Sequence, residues 1–247
     1  MHPVILGDVS VDLEAHHNES DRGTKEPQYE ICLNHRDDHG LEPLGLMMNQ
    51  AWYDDPKRLT FTFSRYKFAG KMLAGCKNVL EVGCGDAFPS RIVQQEVERL
   101  TVTDFDPLFI DDIRSRMVKG WEFADAFTHD MLSAPVPGHY DGIYSLDVLE
   151  HIDPAHEELF LANMVTALTE HGTMIIGMPT LESQSYASPQ SKAGHVNCQS
   201  MPQLKQGMQR FFHNVYMFSM NDEVIHTGYH RMAHYIFALC CGKKTAP

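Results

Sequence analysis

The sequence predicts an α/β fold: a doubly wound sheet, mostly parallel, closed by an antiparallel hairpin. Three observations predict it. Short apolar runs alternate with longer amphipathic ones between Asn78 and Pro179. A glycine pair, Gly83 and Gly85, directly follows the first apolar run. The last two long apolar runs have no helical pattern between them, as antiparallel neighbours require.

Taken in order, residues 1–40 are polar and rich in His, Asp and Glu, with one short strand expected near Tyr29–Leu33. Residues 1–58 read as an N-terminal arm or cap, and residues 59–247 as the main domain. "LTFTFSRYKFAGKMLAG" repeats apolar side chains at helical spacing through Phe61, Tyr66, Phe68, Ala69, Met72 and Leu73, and Gly75 stops it. "NVLEV" is a buried strand, "GCGDAF" a turn, and the next helix opens near Pro89. "RLTVTDFD" is a second strand ending in acids and "PLFIDDIRSRMVK" its helix. "WEFAD" is a weaker third strand and "YDGIYSL" a fourth. "PAHEELFLANMVTALTEHG" is an amphipathic helix with a glycine stop, and "TMIIGMP" is the fifth strand. Polar "TLESQSYASPQSKAGHVN" follows, a long loop of the kind that serves function, placed as a substrate lid near 180–200. "FFHNVYMFSM" and "MAHYIFALCC" complete a seven-stranded Rossmann-like sheet as its antiparallel edge.

The 247 residues are ample for one large core. No apolar run approaches the length of a membrane span, and the first residues lack the basic-then-apolar pattern of a secretory leader. The six cysteines form no CxxC pair, so neither a zinc ribbon nor a disulfide framework is expected, and a reducing cytoplasm fits. A net charge of −13 disfavours nucleic acid and anionic membranes as partners and leaves a small-molecule acceptor. The oligomeric state is left open, a dimer included.

The chemistry begins at the glycine turn. Gly83 and Gly85 allow close backbone approach to a ligand, but position 88 is Phe, so the dinucleotide fingerprint is not met. The loop carries Asp86 and no basic residue, which suits a neutral or zwitterionic ligand better than a pyrophosphate. Asp104, ending the second strand, is placed to accept both hydroxyls of a ribose, with Phe105 beside an adenine ring. Asp106, before Pro107, is the better helix cap, so capping leaves Asp104 free for this role.

As a set, "VLEVGCGDA", "TVTDFDP", "YDGIYSLDVLEHI" and "LTEHGTMIIGMP" resemble the motifs of class I S-adenosylmethionine (SAM) methyltransferases over roughly residues 60–180, with Ala87 at a position often held by a third glycine. The resemblance implies that Glu81 and the backbone of Gly83, Cys84 and Gly85 hold the methionine end of SAM. It implies that Asp130 accepts the adenine amine, with Asp125 as competitor, and that the Met131 backbone reads the ring edge. Leu146 and Asp147 would line the cavity near the sulfonium.

Asp147, Glu150 and His151 then arrive within five positions. The plain reading is that they end a strand and pack. The sharper one is that these three, with His195 from across the pocket, form a four-ligand site for Mg, Mn, Fe or Zn. Without a metal, His151 or His195 serves as general base, with Asp147 beside them. The layout resembles the ubiquinone-pathway O-methyltransferases, with DxxEH in place of ExxEH, and the small-RNA terminal 2′-O-methyltransferases. The sequence therefore points to a cytoplasmic SAM-dependent O-methyltransferase acting on a small polar molecule, a sugar or related metabolite. A small-molecule N-methyltransferase, an RNA 2′-O-methyltransferase and a SAM-binding regulatory module stay open.

Overall fold

The computed structural model describes residues 23–117 and 122–244. The chain forms two compact units, Met1–Leu41 and Glu42–Pro247. In the first, a 3₁₀ turn at Pro27–Tyr29 leads into helix α1, Glu30–His39. The strand expected over Tyr29–Leu33 is therefore helical. Pro27 pre-sets the turn, Glu30 lies at the positive end of the helix, and Arg36 and His39 lie at the negative end. No strand among the described residues of this unit is there to pair with it.

The second unit opens with α2 (Leu46–Asp54) and α3 (Lys57–Met72). The parallel strands β1 (Val79–Val82), β2 (Leu100–Asp104), β3 (Asp125–Thr128), β4 (Tyr140–Leu146) and β5 (Leu168–Pro179) alternate with α4 (Ser90–Gln94), α5 (Pro107–Arg116) and α6 (Glu157–Ala167). After β5 come α7 (Pro189–Gly194) and α8 (Met201–Met208). The chain ends in β6 (Phe212–Asn221), β7 (Val224–His226) and β8 (Tyr235–Lys243).

The strand order is β3-β2-β1-β4-β5-β8-β6-β7. The first five strands are parallel; β8, β6 and β7 are antiparallel additions. The sheet thus has eight strands rather than the expected seven, because Val224–His226 folds back on β6 through a turn in which Asp222 takes φ 48°. Three residues inside a charged stretch were too short to show a period of two.

Other boundaries moved for local reasons. The third strand begins at Asp125, at the end of "WEFAD", because pairing with β2 starts at Ala124, whose N–H bonds the Leu100 carbonyl. The glycine-stopped helix ends at Ala167, and Leu168 already pairs with Tyr140. Residues between Leu168 and Thr173 bulge out, so regular pairing resumes where the sequence placed the strand. The polar stretch after Pro179 is not bare loop: it holds a 3₁₀ turn at Glu182–Tyr186 and α7, whose N-cap Ser188 accepts from the Ser191 N–H. Helix α8 carries a capping box of Ser200 and Gln203.

Two apolar layers cover the sheet. Leu80, Val82, Ile143 and Ile176 pack on one face with Phe160 and Met164 of α6 and Leu204 of α8. Val79, Val102, Tyr144 and Ile175 pack on the other with Tyr66, Ala69 and Leu73 and with Ile110 and Ile113 of α5. Every residue of β1 is buried, so Glu81 sits in the core.

Residues 42–58, grouped with the arm by sequence, lie in the second unit. The N-cap of α2 is Gly45, which has no side chain to cap with. Asp86 of the glycine turn does so from across space: its Oδ2 accepts from the Met48 N–H at 2.8 Å, and its Oδ1 accepts from Phe88 N–H at 3.1 Å. Only glycine fits at 45, where a Cβ would lie 2.4 Å from Asp86 Cβ. Asp86→Ala is expected to lower stability by about 1–2 kcal/mol, the cost of losing a helix cap. Urea unfolding checks this, and limited proteolysis should show earlier cleavage near Ala51. A loss too small to resolve would mean α2 is held by its apolar contacts alone.

Candidate functional site

The strand order reverses between β1 and β4, and ligands of open α/β sheets gather outside the carboxyl ends of the strands at such a point. The chain leaves β1 through three left-handed residues, Gly83 (φ 75°), Gly85 (φ 53°) and Ala87 (φ 50°). A Cβ at Gly83 would lie 2.3 Å from Val148 Cγ2, so the turn closes directly under the exit of β4. The N–H groups of Gly83 and Cys84 both donate to the Thr103 carbonyl, at 2.8 and 3.0 Å. Gly85 N–H donates to Asp104 Oδ2 at 2.9 Å, and Asp106 N–H to Asp104 Oδ1 at 2.9 Å. The three backbone donors assigned to a ligand by resemblance are thus engaged within the protein. Asp104, at 5% exposure, ties β2 to the turn while each oxygen keeps a further lone pair. Burial raises its pKa against the lowering effect of these N–H groups.

Glu81 is fully enclosed. Tyr66 hydroxyl donates to its Oε1 at 2.8 Å and Tyr144 hydroxyl to its Oε2 at 2.6 Å. Burial pushes its pKa up to about 7 although both hydroxyls favour the ionised form. Its contacts place it as a brace joining α3, β1 and β4.

Phe105 is 73% exposed just beyond Asp104 and free to flank a ring. Asp130 lies two residues past β3 at the carboxyl edge, and its Oδ1 accepts from Leu132 N–H at 2.8 Å. Its competitor Asp125 opens β3, at the opposite edge. Met131 is buried, and its carbonyl accepts from Asn163 Nδ2 at 2.7 Å. Leu146 ends β4 with its side chain against Gly177.

Beyond Leu146 the chain turns at Asp147, which takes φ 59°. Its N–H bonds the Gly177 carbonyl at 3.0 Å. Its carboxylate receives Arg65 Nη1 at 2.9 and 2.8 Å. Arg65 also lies 3.9 Å over the ring of Tyr235. Burial lowers the Arg65 pKa, but Asp147 and Tyr235 more than compensate, and the guanidinium stays charged.

A 3₁₀ turn at Leu149–His151 follows. Ligand atoms of Glu150, His151 and His195 lie within 4.8 Å of one another, and the two rings meet edge to face at 5.1 Å. Three of the four residues assigned to a metal come together; Asp147 is paired with Arg65 instead. His151 Nδ1 bonds the Gly194 carbonyl at 2.9 Å and His195 Nδ1 bonds Gln184 Oε1 at 2.9 Å. Both partners are acceptors, so each Nδ1 donates, and each Nε2 lies outside these bonds. Glu150 is 1% exposed, and its Oε2 has no partner. Burial, then the Asp147 charge, raises its pKa well above the usual range. Burial and the neighbouring His151 lower that of His195.

The sequence reading missed Arg65, Tyr235 and the Met47–Met48 segment. Arg65 had a signal: it lies one turn from Phe61 and one from Ala69, on the buried stripe of α3, where an arginine needs a partner. Met47 had none; its Sδ would lie 2.6 Å from a Cβ at Gly85.

The edge built by β1, β2 and β4 is that of a class I methyltransferase fold. Residues 79–172, from β1 into the start of β5, match the family described as a methyltransferase domain, and the chain is an enzyme of the methyltransferase class. Among solved structures it is similar to the N-methyltransferase NodS from Bradyrhizobium japonicum WM9 in complex with S-adenosyl-L-homocysteine, at 19% identity over 77% of this chain and 90% of that one, TM-score 0.59. It is also similar to the complex of the Haloferax volcanii Trm112 methyltransferase activator with a methyltransferase, at 12% identity over 81% and 96%, TM-score 0.61. The methyltransferase domain of bacterial CtHen1-C aligns at 13% identity over 73% and 98%, TM-score 0.60. No curated protein sequence matches the chain. Among the described residues, no helix is long and apolar enough to cross a membrane.

The raised Glu81 carboxyl sets a pH dependence. The folded state holds the proton more tightly than the unfolded chain, so this group's stabilising contribution is complete below about 4.5 and is lost as pH rises through about 7. Glu81→Gln should flatten stability over that window and raise it by about 3 kcal/mol, to order of magnitude, above it. Urea midpoints for both proteins across the window check this; parallel curves would show that Glu81 is ionised in the fold.

Proposed function

We propose that the protein is a cytoplasmic SAM-dependent methyltransferase that transfers a methyl group to a hydroxyl of a small polar molecule, a sugar or related metabolite. The observation that carries the reading is the convergence of Glu150, His151 and His195 beside the turn between β1 and β4. Six free cysteines and a net charge of −13 support a reducing compartment and a small acceptor.

In this reading Asp104 accepts the ribose hydroxyls, Phe105 flanks the adenine ring, Asp130 accepts its exocyclic amine, the Met131 backbone reads the ring edge, and Leu146 lies near the reacting atoms. Gly83, Cys84 and Gly85 act through close approach, and Glu81 acts by bracing the turn. SAM supplies a methyl group on a sulfonium, whose C–S bond breaks as the acceptor oxygen forms the new C–O bond. The acceptor hydroxyl must lose its proton, and His195 Nε2, held neutral by burial and by His151, receives it. His151 aligns the pair, and Asp147 fixes the end of β4. Gln184 of the 180–200 segment orients His195, which ties this proposed lid to the base.

The same residues fit a divalent ion. Two imidazoles anchored through Nδ1 present Nε2 lone pairs, and Glu150 adds a buried oxygen without a partner. A metal there would lower the pKa of the acceptor hydroxyl. The donor set resembles that of the ubiquinone-pathway O-methyltransferases, with Asp147 in place of the first Glu and engaged by Arg65. A second reading, small-molecule N-methylation with a histidine base and no metal, is favoured by the lowered pKa of His195.

Glu150→Ala and His195→Ala should each lower turnover by about 100-fold or more while SAM affinity stays within about twofold. Calorimetry and product assays on the same samples check both quantities, and wild-type rates in the two variants would end the proposal. Loss of activity in EDTA, restored by Mg²⁺ or Mn²⁺, selects the metal route; full activity in EDTA selects the base alone.

A further inference from the structure

A cavity of about 470 Å³ opens between the start of α6, residues 197–199 and α8. None of its lining residues belongs to the glycine turn, to Asp104 or to the group of Glu150, His151 and His195. Its central side chain is Glu157, the first residue of α6. Two carboxamides close on one oxygen of that carboxylate: Asn197 Nδ2 donates to Oε2 at 2.7 Å, and Gln199 Nε2 at 2.5 Å. An ionised carboxylate only accepts, so both amides turn nitrogen toward it and their carbonyl oxygens away. Asn197 and Gln199 are each 8% exposed, yet no donor among the described residues bonds either carbonyl oxygen. Glu157 Oε1 receives none either. From α8, Gln203 spends its Oε1 on the Ser200 N–H and hydroxyl, at 2.9 and 2.7 Å, and keeps its amide N–H groups free. Arg210, paired with Glu158, completes the wall.

Gly207 points independently to the same oxygen. Glycine weakens a helix, and this one, inside α8, does not take a positive φ that would require it. Outside its own helix, the one atom within 4 Å of a Cβ placed there is Glu157 Oε1, at 3.4 Å. The glycine keeps that oxygen open to the cavity. The wall then selects by charge and polarity. The Glu157 and Arg210 charges cancel, and no lining side chain is aromatic or aliphatic. Asn197, Gln199, Gln203 and Gln206 offer donors and acceptors together. A hydroxyl also does both, so neighbouring hydroxyls meet the spare oxygens and the amide N–H groups at once. A ligand that only accepts, or only donates, leaves half of the wall desolvated and unpaired. Asn197 also ties the cavity to Glu150, whose carbonyl accepts the Val196 and Asn197 N–H groups at 2.8 and 2.9 Å. The Gln199 carbonyl accepts the Leu181 N–H at 3.0 Å. A ligand gripped by the Asn197 and Gln199 side chains therefore holds the stretch that carries His195.

We infer that this cavity is a second binding site, for a neutral polyhydroxylated ligand, a sugar or cyclic polyol, whose occupancy steadies residues 195–199 against Glu150. The site is separate from that of the methyl acceptor, whose hydroxyl meets His195, and it stands without the methyl-transfer reading.

The test titrates the 247-residue protein with glucose and inositol, and with glucose 6-phosphate, glucosamine and cyclohexanol as anionic, cationic and single-hydroxyl controls. Binding is read by calorimetry, with and without S-adenosyl-L-homocysteine. At least one polyol should bind about tenfold or more tightly than every control. Gly207→Leu fills the cavity over Glu157 Oε1 and should weaken polyol binding by about tenfold or more. Leucine is the better helix former, so this variant should fold at least as stably as the parent. Glu157→Gln should weaken binding similarly, and His195→Ala should leave it unchanged. Saturating polyol should slow hydrogen exchange of the Val196 and Asn197 amides about threefold or more, and should not do so in Gly207→Leu. No polyol binding, tighter binding of a control, or undiminished binding in Gly207→Leu overturns the inference. Loss of binding in His195→Ala also overturns it, since the polyol would then occupy the acceptor site. Unchanged amide exchange on saturation overturns the link to Glu150. A protein that binds polyols in this cavity but binds no SAM refutes the methyl-transfer reading and leaves this site standing.

Discussion

The turn at Asp147 is the constraint on which the rest of the edge depends. A non-glycine residue in the left-handed region costs about 1–2 kcal/mol, and the bonds from Arg65 and to Gly177 offset it. Because the chain turns there, Val148 drops over Gly83 and closes the glycine turn, and the next residues wind into a 3₁₀ turn. The Glu150 carbonyl then points where it accepts the N–H groups of Val196 and Asn197, at 2.8 and 2.9 Å. Those bonds bring His195 and the Gly194 carbonyl to His151. One strained residue thereby fixes the cofactor edge, the histidine pair and the segment across the pocket.

Much of this was legible because it is local. An apolar run followed at once by glycines is a strand feeding a tight turn, and φ values of 75° and 53° at Gly83 and Gly85 are what that pattern demands. Asp106 before Pro107 announced a cap, and its Oδ1 accepts from Leu108 N–H at 2.9 Å. The pairing of His151 with His195 needed the fold as well: forty-four positions separate them, and only a parallel sheet returns the chain after β5 to the end of β4.

What escaped the sequence has one physical source: partners supplied from elsewhere in the chain. Asp147 reads as a ligand beside Glu150 and His151 until Arg65, on the helix that precedes β1, claims its carboxylate. Gly45 offers no cap to its helix, and Asp86, forty-one positions on, supplies it. The backbone donors of Gly83 and Cys84 look available until Thr103 takes them. In each instance residue type and spacing indicated what a group could do, and a distant contact decided what it does.

The two buried glutamates show how such contacts separate bracing from chemistry. Glu81 and Glu150 are each 1% exposed, and burial raises both. Glu81 has a hydroxyl donor on each oxygen, so its hydrogen-bonding capacity serves α3 and β4. Glu150 has an oxygen that nothing in the described chain satisfies, and a ligand atom from each of Glu150, His151 and His195 lies within 4.8 Å of the others. An unsatisfied buried carboxyl oxygen costs about 1–3 kcal/mol, which a purely structural residue has no reason to retain. The difference between them lies in partners, not in burial or the direction of the pKa shift: both Glu81 oxygens are engaged, and one Glu150 oxygen is not.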